Sequence, residues 1–118
     1  MSGRITYRDT KPFCVPASLD ELTGPSMGFV HLPVRLSWAP GDGSFNLDDD
    51  GERTTVYQCV IGEGNAQDKR SYINRDTLTD MWPTLRLDLA ITAAWENRFN
   101  VLRGRNKWLA LYNRRNAS

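Results

Sequence analysis

The clearest pattern of apolar and polar positions in the chain is an alternation across residues 29–38. Every second position there is apolar: Val30, Leu32, Val34, Leu36 and Trp38. A period of two is typical of a β-strand with one buried face. Because Pro33 has no N–H to donate to a neighbouring strand, we expect an edge strand or one that bends there. The turn-forming sequence at 40–43 then predicts a hairpin whose second strand covers 44–47.

After residue 47 the apolar residues recur at a spacing of three or four, which predicts helices. Asp48, Asp49 and Asp50 provide a cap and first-turn acids for the first of these helices. Apolar residues at helical spacing follow them: Val56, Tyr57, Val60 and Ile61. We expect this helix to end at Gly62 or Gly64.

The remaining chain predicts further short helices. Asn65 can cap one that runs to 72–73, and Asn74 or Asp76 can cap the next, which Pro83 kinks or ends. The strongest helical stripe precedes Gly104 and is spaced four residues apart throughout: Leu87, Ile91, Trp95 and Phe99. The basic segment 107–112 can form a last short helix.

Strands that precede helices along the chain predict an α+β fold. We expect a small N-terminal antiparallel β-hairpin or sheet, followed by a cluster of about four short helices. The length of 118 residues is usual for one domain. We therefore predict a single α+β domain over 1–118, in which 103–118 form a basic C-terminal tail or short helix.

Cysteine content and hydropathy bear on the compartment. Cys14 and Cys59 do not make a disulfide framework, and no C-x-x-C spacing is present. No apolar run is long enough to span a membrane, and the first residues lack the apolar core of a signal peptide. These features predict a soluble cytoplasmic protein with reduced thiols and no membrane contact.

Charge is segregated along the chain, although the formal net charge is only +1. Segment 42–52 holds five acidic side chains and no basic one, whereas segment 98–115 holds six basic side chains and no acidic one. This separation predicts a dipolar surface with two candidate binding ends.

No motif points to chemistry, so we predict no catalytic site, no metal site, no cofactor and no small-molecule substrate. Segment 46–51 resembles the first half of a calcium-binding EF-hand loop, but Tyr57 stands where a bidentate glutamate is needed. Segment 41–46 fits neither glycine-rich phosphate-binding pattern. An enzyme with unrecognised chemistry stays open as a third hypothesis, with Cys14 or His31 in a pocket.

The C-terminal segment is the best generic binding signal. Its basic side chains can contact phosphates and its aromatic side chains can stack on bases. The candidate nucleic-acid-binding residues are Arg103, Arg105, Lys107, Trp108, Arg114 and Arg115. Two other interpretations stay open: a surface for an acidic protein, and an ordinary helix that packs Trp108 and Leu111 inward.

Four segments carry a resemblance to a known group: SLDELTGPSMGFVHLP at 18–33, VYQCVI at 56–61, YINRDTLTDMWPTL at 72–85 and AWENRF at 94–99. They resemble small actinobacterial antitoxins encoded beside nucleotidyltransferase toxins of the AbiEii/MenT kind. The resemblance implies a non-enzymatic protein that binds its toxin and restricts access to the toxin's nucleotide-binding or tRNA-binding site. It leaves the chain after Leu102 outside.

Our leading hypothesis is therefore an antitoxin that neutralises a nucleotidyltransferase toxin by forming a complex. The candidate partner-binding residues are Asp48, Asp49, Asp50, Tyr72, Trp82 and Trp95. The acidic residues among them can face a basic tRNA-binding groove, and tryptophan is common at the energetic centres of interfaces, although the two tryptophans also fit a core. The alternative is a nucleic-acid-binding transcriptional regulator that uses the basic C-terminal segment.

Overall fold

The computed structural model describes residues 15–36 and 43–116, and the side chain of residue 116 is not described. Within these ranges a two-stranded antiparallel sheet precedes five helices, which confirms the predicted α+β class. The elements are β1 (Phe29–His31), β2 (Ser44–Asn46), α1 (Asp50–Glu63), α2 (Ala66–Tyr72), α3 (Arg75–Met81), α4 (Leu89–Arg98) and α5 (Lys107–Asn116), with 3-10 turns at Leu19–Glu21 and Trp82–Thr84.

The strand predicted over 29–38 is much shorter in the structure. β1 ends at His31, and the chain then turns, with the Leu36 N–H donating to the Pro33 carbonyl at 2.9 Å. Leu32 and Leu36 are both buried on either side of this turn, whereas Val34 is exposed. The alternation therefore reflects a turn with two inward leucines. Trp38 and the predicted turn residues 40–42 lie outside the described residues.

The predicted partner strand is confirmed as β2, which pairs with β1 so that Val30 lies opposite Phe45. α1 follows almost at once. The Asp49 side chain accepts a hydrogen bond from the Glu52 N–H, and the Glu52 carboxylate accepts one from the Asn46 N–H at 2.8 Å. The acidic residues thus begin this helix as expected.

The predicted inward face of α1 is buried, and the helix continues through Gly62 to end at the cap residue Gly64. The next two caps also lie where the sequence places them. Asn65 and Asp68 form a reciprocal capping box at the start of α2, and the Asn74 side chain accepts from the Thr77 N–H at the start of α3.

The junction between α2 and α3 holds the N-terminal part of the described chain in place. The Gly24 N–H donates to the Ile73 carbonyl at 2.8 Å, and the Asn74 side-chain amide donates to the Gly24 carbonyl at 3.1 Å. A Cβ at Gly24 would lie 2.7 Å from the Ile73 nitrogen. Only glycine therefore allows the two backbones to approach this closely.

α4 is shorter than the predicted stripe. Asp88 caps it by accepting from the Ala90 N–H at 2.8 Å, so Leu87 precedes the helix. It ends at Arg98 with Phe99 as the cap, well before Gly104. The stripe still marks the core, because Trp95 and Phe99 are buried and their ring centroids lie 5.8 Å apart.

The C-terminal segment carries α5, which extends four residues beyond the predicted 107–112, to Asn116. Across residues 15–36 and 43–116, no helix has both the length and the apolar character needed to cross a membrane.

Candidate partner-binding surface

A buried polar cluster around Glu96 fixes α5 to the rest of the fold. The Glu96 carboxylate, whose residue is only 6 % exposed, accepts hydrogen bonds from the Trp82 indole N–H, the Asn106 backbone N–H and the Gly104 backbone N–H. Each of the three is 2.9 Å long. We call Glu96, Trp82, Gly104 and Asn106 the Glu96 hub.

Asn106 is the second centre of this hub, with a relative exposure of 1 %. Its side-chain amide donates to the carbonyls of Trp82 and Leu85, both at 2.8 Å. Its side-chain oxygen accepts from the N–H groups of Trp108 and Leu109, both at 3.1 Å, which caps the first turn of α5. The start of α5 is therefore fixed in position and direction.

Sequence reasoning did not single out Glu96 or Asn106. Asn106 had a usable signal, because an asparagine directly before a helical segment is a favoured cap. Glu96 had none, since its burial depends on donors that come from residues 82, 104 and 106.

α5 turns one face inward and leaves another half-exposed. Leu109 is buried, while Trp108, Leu111, Tyr112 and Arg115 recur at the spacing of one helical face. Together with the segment before α4, this face lines an open groove of about 700 Å³. We call this surface the α5 groove: Arg86, Leu87, Leu89, Trp108, Leu111, Tyr112 and Arg115.

The Trp108 indole is held in a defined orientation in the α5 groove. Its N–H donates to the Thr84 carbonyl at 3.2 Å, and the Arg86 guanidinium carbon lies 4.3 Å from the ring centroid. The Arg86 backbone N–H in turn donates to the Gln58 side chain at 3.3 Å. The cation–π contact and these hydrogen bonds give the groove an ordered wall.

The groove also carries exposed apolar surface and positive charge. Leu111 is 38 % exposed and Tyr112 is 49 % exposed. Neither Arg86 nor Arg115 forms an ion pair with any residue in the described part of the chain. A second depression of about 530 Å³ shares Leu89 and Tyr112 with the groove and extends it along the N-terminus of α4.

Of the candidate nucleic-acid-binding residues, Trp108 and Arg115 line the groove, while Lys107 and Arg114 are exposed outside its lining. The other two serve local structure. The Arg103 guanidinium donates to the carbonyls of Glu96 and Asn97 at the end of α4, and that of Arg105 donates to the Val101 carbonyl at 3.4 Å.

The predicted acidic residues form an exposed end at the start of α1, and each has a local role. Asp48 accepts from the Gly28 N–H at 3.3 Å, Asp49 caps α1, and Asp50 pairs with Arg53. These carboxylates remain accessible to solvent while they support the helix start.

The predicted aromatic contact residues do not share a surface. Trp82 and Trp95 are fully buried, with ring centroids 6.1 Å apart, so neither presents surface to a partner in this structure. Tyr72 is half-buried, and its hydroxyl donates to the His31 carbonyl at 3.3 Å. His31 itself is exposed on β1, and Cys14 lies outside the described residues.

A separate ion pair joins α2 to the turn after β1. The Arg35 guanidinium donates to both carboxylate oxygens of the buried Asp68 at 2.7 Å. These bonds, together with the hydrogen bond from the Asn65 N–H, hold the pKa of Asp68 below its usual value. This pair is structural, since both Asp68 oxygens are already occupied.

No family model matches the chain, and no curated protein and no solved structure matches it.

Proposed function

We propose that this chain is a non-enzymatic, partner-binding protein of the antitoxin kind, which holds a nucleotidyltransferase toxin inactive in a complex. The observation that supports binding is the α5 groove. It presents a tryptophan, a tyrosine and two arginines beside exposed leucine, and these aromatic and arginine types dominate the energetic centres of protein interfaces. The antitoxin identity comes from the resemblance alone.

The groove is suited to binding because contacts within the fold already hold one of its walls in place. α5 is anchored through the Glu96 hub, and Trp108 is oriented by Thr84 and Arg86. A surface that is already ordered loses less conformational entropy on association, so more of the contact energy appears as affinity.

The acidic end at Asp48–Asp50 is a second candidate contact. A toxin that binds tRNA needs a basic groove, and complementary charge speeds encounter and sets the orientation of the complex. Since these carboxylates already have local partners in the fold, we assign them to encounter and orientation and the α5 groove to affinity.

The test is co-expression with a nucleotidyltransferase toxin of the AbiEii/MenT kind, chosen from the genes next to the one for this chain, followed by growth measurement and co-purification at high salt. Leu111→Glu places a carboxylate in the groove, and Val101→Glu is the matched control on an exposed apolar residue outside its lining. We expect the wild type and Val101→Glu to rescue growth and co-purify, and Leu111→Glu to do neither. No rescue by the wild type would contradict the antitoxin proposal.

A nucleic-acid-binding regulator is the second candidate function. It is favoured by one observation, the exposure of Lys107 and Arg114 on the same helix as the oriented Trp108. Such binding weakens steeply with salt. The double variant Lys107→Ala/Arg114→Ala is expected to reduce the slope of the logarithm of the binding constant against the logarithm of salt concentration by about two, because two fewer phosphates are neutralised. Titration of a labelled duplex and a single strand at several salt concentrations measures both quantities.

A further inference from the structure

We propose that the α5 groove accepts an acidic amphipathic peptide segment. Its apolar side chains pack on the leucines of the lining, and its carboxylates pair with Arg86 and Arg115. This inference rests on the proposed function, because it identifies the part of the partner that the groove holds. It specifies the chemistry of that segment and its position on this chain.

Part of the groove lining is apolar. Leu87 and Leu89 line the groove and are half-buried, and Leu111 lines it and is partly exposed. Trp108, Leu111 and Tyr112 follow each other at the spacing of one helical face. A groove with an apolar lining of this kind can receive the apolar face of an amphipathic helix, whose own anchors recur every three or four residues.

The lining also holds two arginines, Arg86 and Arg115. Neither has an ion-pair partner in the described ranges, although each lies beside apolar surface that a bound segment would cover. A guanidinium in that position binds a carboxylate through two parallel hydrogen bonds. The ring of Trp108 covers one face of the Arg86 guanidinium and leaves its N–H edge to donate.

The lining favours a peptide over a nucleic acid. It contains three leucines and only two basic residues. Single-stranded nucleic acid needs free aromatic faces in a groove of continuous positive charge. Here one face of Trp108 is covered by Arg86, and its N–H is bonded to Thr84.

The experiment titrates the full chain with a fluorescein-labelled helical peptide that carries leucines on one face and glutamates on the other. Fluorescence anisotropy at about 150 mM salt limits the contribution of long-range charge. The same peptide with lysine in place of glutamate, and a single-stranded RNA, serve as competing probes. We expect the glutamate peptide to bind most tightly of the three.

Two double variants with the same change in net charge locate the site. Arg86→Ala/Arg115→Ala removes the groove arginines, and Arg70→Ala/Arg98→Ala removes two exposed arginines outside the lining. We expect the first pair to weaken peptide binding by about tenfold or more and the second by less than about twofold. Equal losses in both variants would overturn the proposal.

A measurement on the wild type keeps the test independent of variant folding. In an amide correlation spectrum, the indole signal of Trp108 is expected to shift on peptide addition, while that of the buried Trp95 stays in place. No shift at Trp108, or tighter binding of the RNA or the lysine peptide, would overturn the inference. If the chain fails to neutralise the toxin but binds the peptides as expected, the proposed function is wrong and the peptide-binding site stands.

Discussion

At the scale of single residues, Asn106 has the largest set of interactions in the C-terminal part of the described chain. All of its side-chain polar groups are used in buried surroundings, two donations to carbonyls and one oxygen that caps α5. A buried carbonyl that loses its donor is costly, because no water replaces it.

We predict that Asn106→Ala lowers the free energy of unfolding by about 3 kcal/mol, of which about 1 kcal/mol is the lost cap. Asn106→Asp keeps the capping oxygen but points a second acceptor at the carbonyls of Trp82 and Leu85. We expect it to be at least as damaging at about pH 7, and to recover as the pH falls towards about 5 and the new carboxyl protonates. Urea denaturation of both variants at the two pH values measures this. A milder effect of Asn106→Asp at the higher pH would contradict the assigned hydrogen bonds.

The roles of some single residues can be predicted from the sequence, and the roles of others cannot. Local chemistry predicts a cap at Asn65, one within Asp48–Asp50 and one at Asn74 or Asp76. The structure confirms Asn65 and selects Asp49 and Asn74 from the other two sets. Arg86 was not singled out, because its role depends on Trp108, which lies 22 positions later in the chain. A side chain that acts through a distant partner leaves no periodic signal.

At the scale of elements, α2 illustrates how a short helix is held at both ends. Its capping box and the Arg35 pair both use the Asp68 carboxylate, while the buried Lys69 donates to the Gly64 carbonyl at 2.6 Å. A helix of seven residues has little stability of its own, so these contacts decide whether it forms.

The lowered pKa of Asp68 makes this element sensitive to acid. The folded state favours the charged carboxylate, so its stabilisation is fully present above the usual pKa of 3.8 and is lost as the pH falls through the lower folded value. We predict that Asp68→Asn costs about 2 kcal/mol at neutral pH and loses less stability than the wild type below about pH 4.

Asp76→Asn is the matched control for this prediction, because Asp76 is an exposed acid of α3 paired with Arg75. An exposed pair contributes little, so we expect a change below about 0.5 kcal/mol. Denaturant titrations from neutral pH to about pH 3 compare the two variants. The same acid sensitivity in Asp68→Asn as in the wild type would show that another carboxylate is responsible.

Element boundaries were the part of the fold that sequence patterns predicted least well. Leu32 and Leu36 lie four apart, so their spacing fits an alternating strand as well as a turn with two inward residues. The hydrogen bond from Leu36 to Pro33 decides between them. α4 likewise ends at Arg98, and the segment 100–105 then folds back so that Gly104 and Asn106 reach Glu96.

At the scale of the whole molecule, α5 belongs to the core structure. Leu109 is buried, and the Glu96 hub joins α5 to α4 and to the turn at Trp82–Thr84. The sequence left open whether 103–118 form a tail or a helix. The basic residues of this segment indicate a charged surface, but the groups that hold α5 in place are the uncharged Asn106 and Leu109.

We predict that a chain ending at residue 105 loses most of its stability, about 4 kcal/mol or more, because Trp82, Leu85 and Glu96 lose buried partners together. Unfolding followed by circular dichroism and by tryptophan fluorescence should shift together in the truncated chain. If the truncated chain unfolds at the same midpoint as the wild type, α5 does not contribute to the stability of the fold.

The hub also implies that the backbone can be interrupted at Arg103 and Gly104, which are both exposed. Cleavage between Arg103 and Gly104 would turn the Gly104 N–H, which is 2.9 Å from a Glu96 oxygen, into a terminal ammonium facing the same carboxylate. The break would add a charge to an existing hydrogen bond, while Asn106 and Leu109 keep their places. Fragments 1–103 and 104–118 are therefore expected to complement each other as a split protein.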